Sequence, residues 1–230
     1  RDRHGEEMLN LFQQEVQREG GSIRHIQSYD KTQMDFGNEI RALVGLPPIN
    51  GEDGQSVEPS ETPQRVDIDF DGLFIPDSYE RVNRIAAQIF FHGVMNVHLL
   101  GASGWNSPEL LRQDIGYLEG AVFVDAFFPD SIHRKVNDFT DLFYAAYGRE
   151  PDSLDALLYD AASIAVKIVL YGNTETRDQF RQGLTKLRDY HGVAGTASIG
   201  ANRNTELKLS ILGVRDGRIL TDQPITQRRD

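Results

Sequence analysis

Four residues early in the chain imitate a metal site. Asp67, Asp69, Asp71 and Gly72 follow the spacing that opens a calcium-binding loop. Such a loop needs a carboxylate at its twelfth position, and that position here holds Ser78. The acids alternate with apolar residues, which is typical of a strand with carboxylates on one face. We therefore expect a strand in this segment and no metal ligand.

A second segment imitates a catalytic turn. Residues 101–105 read Gly-Ala-Ser-Gly-Trp, close to the G-x-S-x-G pattern that exposes a nucleophilic serine. That pattern requires glycine where Trp105 stands, and the six histidines show no pairing with an acid or with each other at ligand spacing. A Ser–His–Asp site assembled only in space is an alternative that no motif supports. The sequence predicts no catalytic residue, no metal and no cofactor.

Charge and composition narrow the classes of partner. The 230 residues include 24 basic and 35 acidic side chains, a net charge of −11. Nucleic acids and anionic lipids are bound through clustered Lys and Arg, so neither partner is expected. No apolar stretch is long enough to span a bilayer. The lack of cysteine excludes disulfides, thiol catalysis and zinc sites built on cysteine.

The spacing of apolar residues predicts alternating helices and strands. Strands are predicted at 22–29, 70–76, 97–100 and 121–128, with shorter strands between 207 and 220 around an Asp216-Gly217 turn. Helices are predicted around Val16, Ile40 and Ile85, from Ser107, at 135–147, from Asp152 and at 180–187. Strand–helix repeats with continuously apolar strands are typical of a parallel sheet covered by helices, so the predicted fold class is α/β.

The candidate binding site lies at the strand ends. In a parallel sheet covered by helices, ligands bind beyond the carboxyl ends of the strands, where residues 76–79, 101–106 and 129–131 fall. These segments supply amides at helix starts and small polar side chains, which suit a small polar or anionic ligand. The candidate ligand-binding residues are Asp77, Ser78, Tyr79, Ser103, Gly104 and Trp105. Two interpretations of Trp105 stay open: packing against the following helix, or a cleft wall that stacks on a ligand.

Several short motifs together resemble the type 1 periplasmic binding proteins, in their branched-chain amino-acid-binding group. The most specific is FYAAYGREP at 143–151, followed by Tyr159-Asp160-Ala161, which is similar to the family's F…Y…G..P…YDA. Weaker matches are His4-Gly5, Ser28-Tyr29, Asp35-Phe36, Leu118-Glu119-Gly120 and the glycines of 192–219. The resemblance implies the second lobe of a two-lobed binding protein together with hinge-crossing and return segments.

The resemblance also implies how the chain is divided. Residues 1–120 would be the lobe-two α/β domain, and they contain the Pro-rich segment 47–64, which we predict to be a mobile loop with a lid as the alternative. Residues 121–190 would be a hinge strand and helices belonging to lobe one, and 191–230 the return strands and C-terminal tail. Most of lobe one, and any signal or lipoprotein anchor, would lie upstream of Arg1, in a protein of the periplasm or cell envelope.

The implied function is a non-enzymatic solute receptor, which holds a small polar or amino-acid-like molecule between two lobes and passes it to an ABC permease. Residues 70–82 and 99–111, and the segment 47–64, resemble most the penicillin-binding protein activators, envelope lipoproteins that stimulate peptidoglycan synthases. The alternative is therefore an interaction module without a small ligand. In one departure, amino-acid binders place an acid near Ser103, whereas residues 101–107 contain none, so Asp77 would have to supply the negative charge.

Overall fold

The computed structural model describes residues 3–49, 65–112, 115–172, 174–200, 202 and 204–221. The α-helices of these ranges are α1 (Arg3–Arg18), α2 (Gly37–Leu43), α3 (Tyr79–Phe91), α4 (Arg134–Tyr147), α5 (Ser153–Tyr171) and α6 (Arg177–Thr185). The strands are β1 (Gly72–Ile75), β2 (His98–Gly101), β3 (Val122–Asp125), β4 (Tyr190–His191), β5 (Thr196–Ile199), β6 (Thr205–Lys208), β7 (Ser210–Arg215) and β8 (Arg218–Thr221). From residue 50 onward, the segment predicted to be a mobile loop lies outside the described residues.

A five-stranded sheet has the order β1-β2-β3-β7-β8. β1 and β2 are parallel, with Ile75 opposite Gly101, and β2 and β3 are parallel, with Leu100 opposite Val122. A second, three-stranded sheet is antiparallel in the order β4-β5-β6. The strand–helix alternation and the parallel pairs confirm the predicted α/β fold class.

The chain divides into two compact units. Unit 1 comprises Arg1–Phe123 and Val214–Arg218, and unit 2 comprises Val124–Gly213 and Ile219–Asp230. The break after Phe123 lies close to the boundary predicted at 120, while residues 191–213 fall in the same unit as the helices before them. The assignment of these parts to the lobes of a binding protein stays a prediction.

The core of unit 1 is built on α3. Val82, Ile85 and Ile89 recur at the spacing that puts apolar side chains on one helical face, and all three are buried. The helix ends before Gly93, whose φ of +73° is a backbone conformation that glycine adopts without strain. Phe90 follows Ile89 by a rotation of about 100° around the helix, and it is 43% exposed.

Unit 2 contains α4 and α5. A capping box begins α5: the Asp152 side chain accepts from the amide of Asp155, and the Asp155 side chain accepts from the amide of Asp152. Every fourth residue of α5 is then buried, namely Ala156, Asp160, Ile164 and Ile168. Ala156 joins a core cluster with Phe127, Val136, Phe139 and residues of the β4–β5 turn.

The predicted strand at residues 22–29 is wrong. All eight residues are described and none of them lies in a strand. The segment is held instead by side chains, since His25 Nε2 lies 2.8 Å from Asp69 Oδ1 and Arg24 pairs with the same carboxylate. This pairing also accounts for one acid of the calcium-like motif, and it lowers the pKa of Asp69, chiefly through the hydrogen bond with His25.

The strand predicted at 70–76 forms, but its burial differs from the expectation. A continuous apolar run indicates a strand buried on both faces. Only Ile75 of β1 is buried, because β1 is an outermost strand of its sheet. The ring of Phe74 is instead covered in part by Phe12 of α1, with 4.3 Å between the stacked ring centroids. Among the described residues, no helix combines the length and apolar character needed to cross a bilayer.

Candidate functional site

Two loops of unit 1 leave the sheet at the same edge. Residues 76–78 connect β1 to α3, and residues 102–107 follow β2, the parallel neighbour of β1. Gly104 joins the two loops: a Cβ atom built at this position would lie 2.7 Å from the carbonyl oxygen of Asp77 and 3.4 Å from Cα of Ser78. Glycine therefore permits a close backbone approach that any other residue would prevent.

Trp105 packs against the ends of the two strands from which these loops leave. Its side chain is fully buried, and its indole N–H donates to the carbonyl oxygen of Ile75 at 3.0 Å. Its ring packs over Gly101 and lies 6.0 Å from the ring of Phe123. The structure thus shows the packing role and corrects the assignment of Trp105 to ligand binding, because the indole has no exposed face on which a ligand could stack.

Asp77 is surrounded by partners from its own chain. Its Oδ2 accepts from the hydroxyl of Tyr29 at 2.9 Å, and its Oδ1 accepts from the amide of Ser78 at 2.7 Å. The guanidinium of Arg81 lies 3.7 Å from Oδ2 and 5.9 Å from the centre of the Tyr29 ring. The negative charge of Asp77 is therefore balanced before any ligand arrives.

Ser78 and Tyr79 begin α3. Ser78 occupies the N-cap in extended conformation, yet its hydroxyl makes no capping hydrogen bond. Tyr79 is half-buried, and desolvation raises the pKa of its phenol, with the charges of Glu80 and Glu109 acting in the same direction. The phenol is therefore protonated at neutral pH and can both donate and accept a hydrogen bond.

The structure brings five of the six candidate residues to one surface of unit 1. Ser103 and Gly104 are exposed on the 102–107 loop, while Asp77, Ser78 and Tyr79 are half-buried on the other side of the Gly104 contact. The third candidate segment, 129–131, belongs to unit 2, where it lines an open polar depression with residues of α4. Sequence reasoning missed Tyr29, since no spacing rule relates it to a carboxylate 48 residues away.

Comparison with known proteins supplies the family. The model of a family described as Periplasmic binding protein matches residues 81–218, which is more than half of the chain. A comparison with curated proteins gives no match.

Three solved structures illustrate the shared fold. A putative branched-chain amino acid ABC transporter from Rhodospirillum rubrum has a TM-score of 0.75 at 21% identity, covering 93% of this chain and 56% of that one. A leucine binding protein from Thermotoga maritima has a TM-score of 0.68 at 20% identity, with 93% and 55% covered. A solute binding protein from R. palustris in complex with benzoate has a TM-score of 0.65 at 15% identity, with 94% and 54% covered.

The chain spans a little over half the length of each of these three proteins, and nearly all of it takes part in the match. The family match includes most of α3, the 102–107 loop and the helices of unit 2, so it covers elements of both units. The chain belongs to the periplasmic binding protein family and has its type 1 fold.

Proposed function

We propose that this chain is part of a periplasmic solute receptor and that unit 1 contributes a binding surface for a small polar molecule. The main support for the proposal is the close contact of Gly104 with the backbone of Asp77 and Ser78. Through this contact, the two loops form one surface at the carboxyl ends of adjacent parallel strands. In open α/β sheets, ligands bind at the carboxyl ends of the strands. The family is one of binding proteins, which supports a receptor in preference to an enzyme.

The groups at this surface favour a ligand that carries oxygen acceptors. The hydroxyls of Ser78 and Ser103 offer donors without a net charge. The first turn of α3 adds backbone amides and the positive end of the helix dipole, both of which stabilise a nearby anion. A carboxylate group matches this set.

An ammonium group of a ligand would match this surface poorly. The Asp77 carboxylate already accepts from Tyr29 and Ser78 and lies beside Arg81. Glu109, the next acid along the chain from the 102–107 loop, pairs with Arg112 at 2.9 Å. We therefore propose that the ligand is held here through a carboxylate or a similar polar group. Leucine and benzoate, the ligands named for the neighbours from T. maritima and R. palustris, have a carboxylate in common.

Calorimetric titration and thermal unfolding test the proposal. Leucine, isoleucine and benzoate are added separately to the protein, with leucine amide as the arm that lacks a carboxylate. A bound ligand at a hundred times its Kd raises stability by about 2.7 kcal/mol, so the melting temperature should rise with at least one carboxylate and less with the amide. A melting temperature that responds to none of the carboxylates contradicts the proposal.

Two substitutions locate the site. Ser78→Ala and Ser103→Ala should each weaken binding by roughly 2- to 12-fold, the equivalent of one hydrogen bond of about 0.5–1.5 kcal/mol. Ser22→Ala, which removes an exposed hydroxyl elsewhere in unit 1, is the matched control and should leave the affinity unchanged. Binding that is indifferent to both loop serines would place the ligand elsewhere.

We further propose that the receptor passes its ligand to an ABC permease in the periplasm, as the family suggests. Co-purification of the protein with the permease tests this step. The activator alternative, with a peptidoglycan synthase as partner, rests only on the sequence resemblance of residues 70–82, 99–111 and 47–64. Neither the family match nor the three structures above adds support for it. We therefore propose the receptor alone.

A further inference from the structure

Arg81 is held in a fixed position beside the proposed binding surface. It lies in the first turn of α3, four residues after Asp77. Its Nη1 donates to the carbonyl oxygen of Asp30 at 3.2 Å, and the guanidinium carbon lies 5.9 Å from the centre of the Tyr29 ring. Only 21% of its side chain is exposed. The charge of Arg81 is therefore placed by its neighbours, unlike that of a surface arginine that is free to turn into the solvent.

The pairing of Arg81 with Asp77 is electrostatic and leaves the carboxylate able to accept further hydrogen bonds. Nη1 lies 3.7 Å from Oδ2, farther than the about 2.7–2.9 Å of a charge-assisted hydrogen bond. The hydrogen bonds to Asp77 come from the Tyr29 hydroxyl and the Ser78 amide, one on each oxygen. A carboxylate has about four acceptor positions. Asp77 can thus still accept from a ligand, and the group that opposes a cationic ligand there is the charge of Arg81.

The other charges that act at this surface do not replace Arg81. The charges of Glu80 and Glu109 act on the phenol of Tyr79, and Glu109 is paired with Arg112 at 2.9 Å. In the described part of the chain, no second cation pairs with the carboxylate that Arg81 balances. Removal of the Arg81 charge would therefore make the surface more negative.

We propose that Arg81 is the specificity-determining residue of this surface: its charge cancels that of Asp77, so that the surface accepts carboxylate ligands and rejects cationic ligands of the same shape. The inference rests on the proposed function, because it concerns the ligand of the same surface, and it adds the residue that sets the charge preference. Loss of one fixed charge changes the affinities of an anion and a cation in opposite directions. The ratio of the two affinities is therefore the quantity to measure.

Ligands of the same shape and different charge test the inference. Benzoate, benzamide and benzamidinium have nearly the same planar shape and are negative, neutral and positive at pH 7. Isocaproate, its amide and its amidinium form an aliphatic series of the same kind. Calorimetric titration at an ionic strength of about 0.15 M gives the Kd of each ligand. The unmodified protein should bind the carboxylate of at least one series more tightly than the matching amidinium, with the amide between them.

Charge-removing variants locate the source of the preference. Arg81→Gln should lower the ratio of the amidinium Kd to the carboxylate Kd by at least about tenfold. Asp77→Asn should raise this ratio, and the double variant, which loses one charge of each sign, should return to within about threefold of the unmodified protein. Arg84→Gln removes an equal charge from an exposed position one turn further along α3, and this matched control should change the ratio by less than about threefold.

The outcomes separate this inference from the proposed function. An unchanged ratio in Arg81→Gln, in a protein that still binds a carboxylate, overturns the inference and leaves the proposed function standing. An equal shift in Arg84→Gln also overturns it, because the net charge of the chain would then set the preference. If Arg81→Gln does not fold, an unchanged ratio in Asp77→Asn has the same force, since it tests the pair from its other side. If the unmodified protein binds none of the carboxylates, the proposed function fails and the inference fails with it.

Discussion

Asp160 is a buried carboxylate that joins α5 to the β4–β5 turn. Its two oxygens accept from the amides of Val193 at 2.9 Å and Ala194 at 2.8 Å, and the residue is only 7% exposed. Gly192 lies against the same carboxylate so closely that a Cβ atom would overlap it. Within the Tyr159-Asp160-Ala161 motif, which resembles the motif of the family, Asp160 therefore holds the β4–β5 turn against α5.

Asp160→Asn should lower the free energy of unfolding by about 1.5 to 3 kcal/mol, because an amide side chain offers one acceptor oxygen to two buried N–H donors. Hydrogen exchange of the Val193 and Ala194 amides should become faster. Asp138→Asn, at an exposed position of α4, should change stability by less than about 0.5 kcal/mol. Unchanged exchange at Val193 and Ala194 would show that the carboxylate does not hold the turn.

Gly104 makes a second residue-scale prediction. Gly104→Ala would force the 76–78 and 102–107 loops apart, since the added methyl would lie 2.7 Å from a backbone oxygen that cannot move aside alone. We expect a loss of about 1–3 kcal/mol, measured by urea unfolding followed through the fluorescence of Trp105. Gly116→Ala, where nothing lies within 4 Å of the new methyl, should be neutral. Equal stability of the two variants would contradict the close contact.

At the scale of elements, the α4–α5 junction is held by charge. Gly148 ends α4 in the left-handed conformation, with φ of +69°. Arg149 then donates from both terminal nitrogens to Asp155, at 2.7 and 3.0 Å, while its guanidinium lies 4.9 Å from the centre of the Phe143 ring. The hydrogen bond from Arg149 is the main cause that lowers the pKa of Asp155.

A lowered carboxyl pKa stabilises the folded state above the unfolded value of 3.8, and this contribution is lost as the pH falls from 3.8 through the folded value. Arg149→Ala should therefore lower the melting temperature at pH 7, and the difference from the unmodified protein should shrink below pH 3.8. Thermal unfolding between pH 7 and pH 2.5 measures this. Arg134→Ala, which breaks an exposed pair of 3.6 Å, should show a small difference that varies little with pH. A difference as large at pH 2.5 as at pH 7 would exclude the ion pair as its source.

The elements that the sequence predicts well are those with local signals. Val82, Ile85 and Ile89 specify α3 by their spacing, and Asp152 marks the start of α5 by its cap. The segment 22–29 has the composition of a strand, but strand formation depends on a partner strand that the sequence does not reveal. The sequence located the ends of β1 and β2 correctly. The packing of Trp105 could not be predicted, because Ile75 and Phe123 come into contact with it only in the folded chain.

At the scale of the whole molecule, unit 1 is discontinuous in sequence. Val214–Arg218 completes a unit whose other residues end at Phe123. Val214 is fully buried there, and it exchanges hydrogen bonds of 3.0 and 2.9 Å with the backbone of Gly120 and Ala121. No local pattern in the sequence indicates such an arrangement, because it depends on pairing between strands far apart in the chain.

Val214→Ala should therefore destabilise unit 1 by about 2 kcal/mol, through the loss of buried methyl groups. Trp105, the only tryptophan, lies in unit 1, so its fluorescence during urea unfolding reports the change. Ile211→Ala, at a position that is 44% exposed on the same strand, is the control and should cost markedly less. If Val214→Ala does not change the urea concentration at which Trp105 fluorescence reports unfolding, this strand segment does not belong to unit 1.

The late arrival of Val214–Arg218 has a consequence for the order of events during synthesis. Ninety residues, Val124–Gly213, emerge between the two parts of unit 1. At roughly 5 to 20 residues per second, the ribosome holds unit 1 incomplete for on the order of ten seconds after Phe123 has been made. The nascent chain is thus kept from closing this unit until residues 214–218 have been made, after the whole of Val124–Gly213.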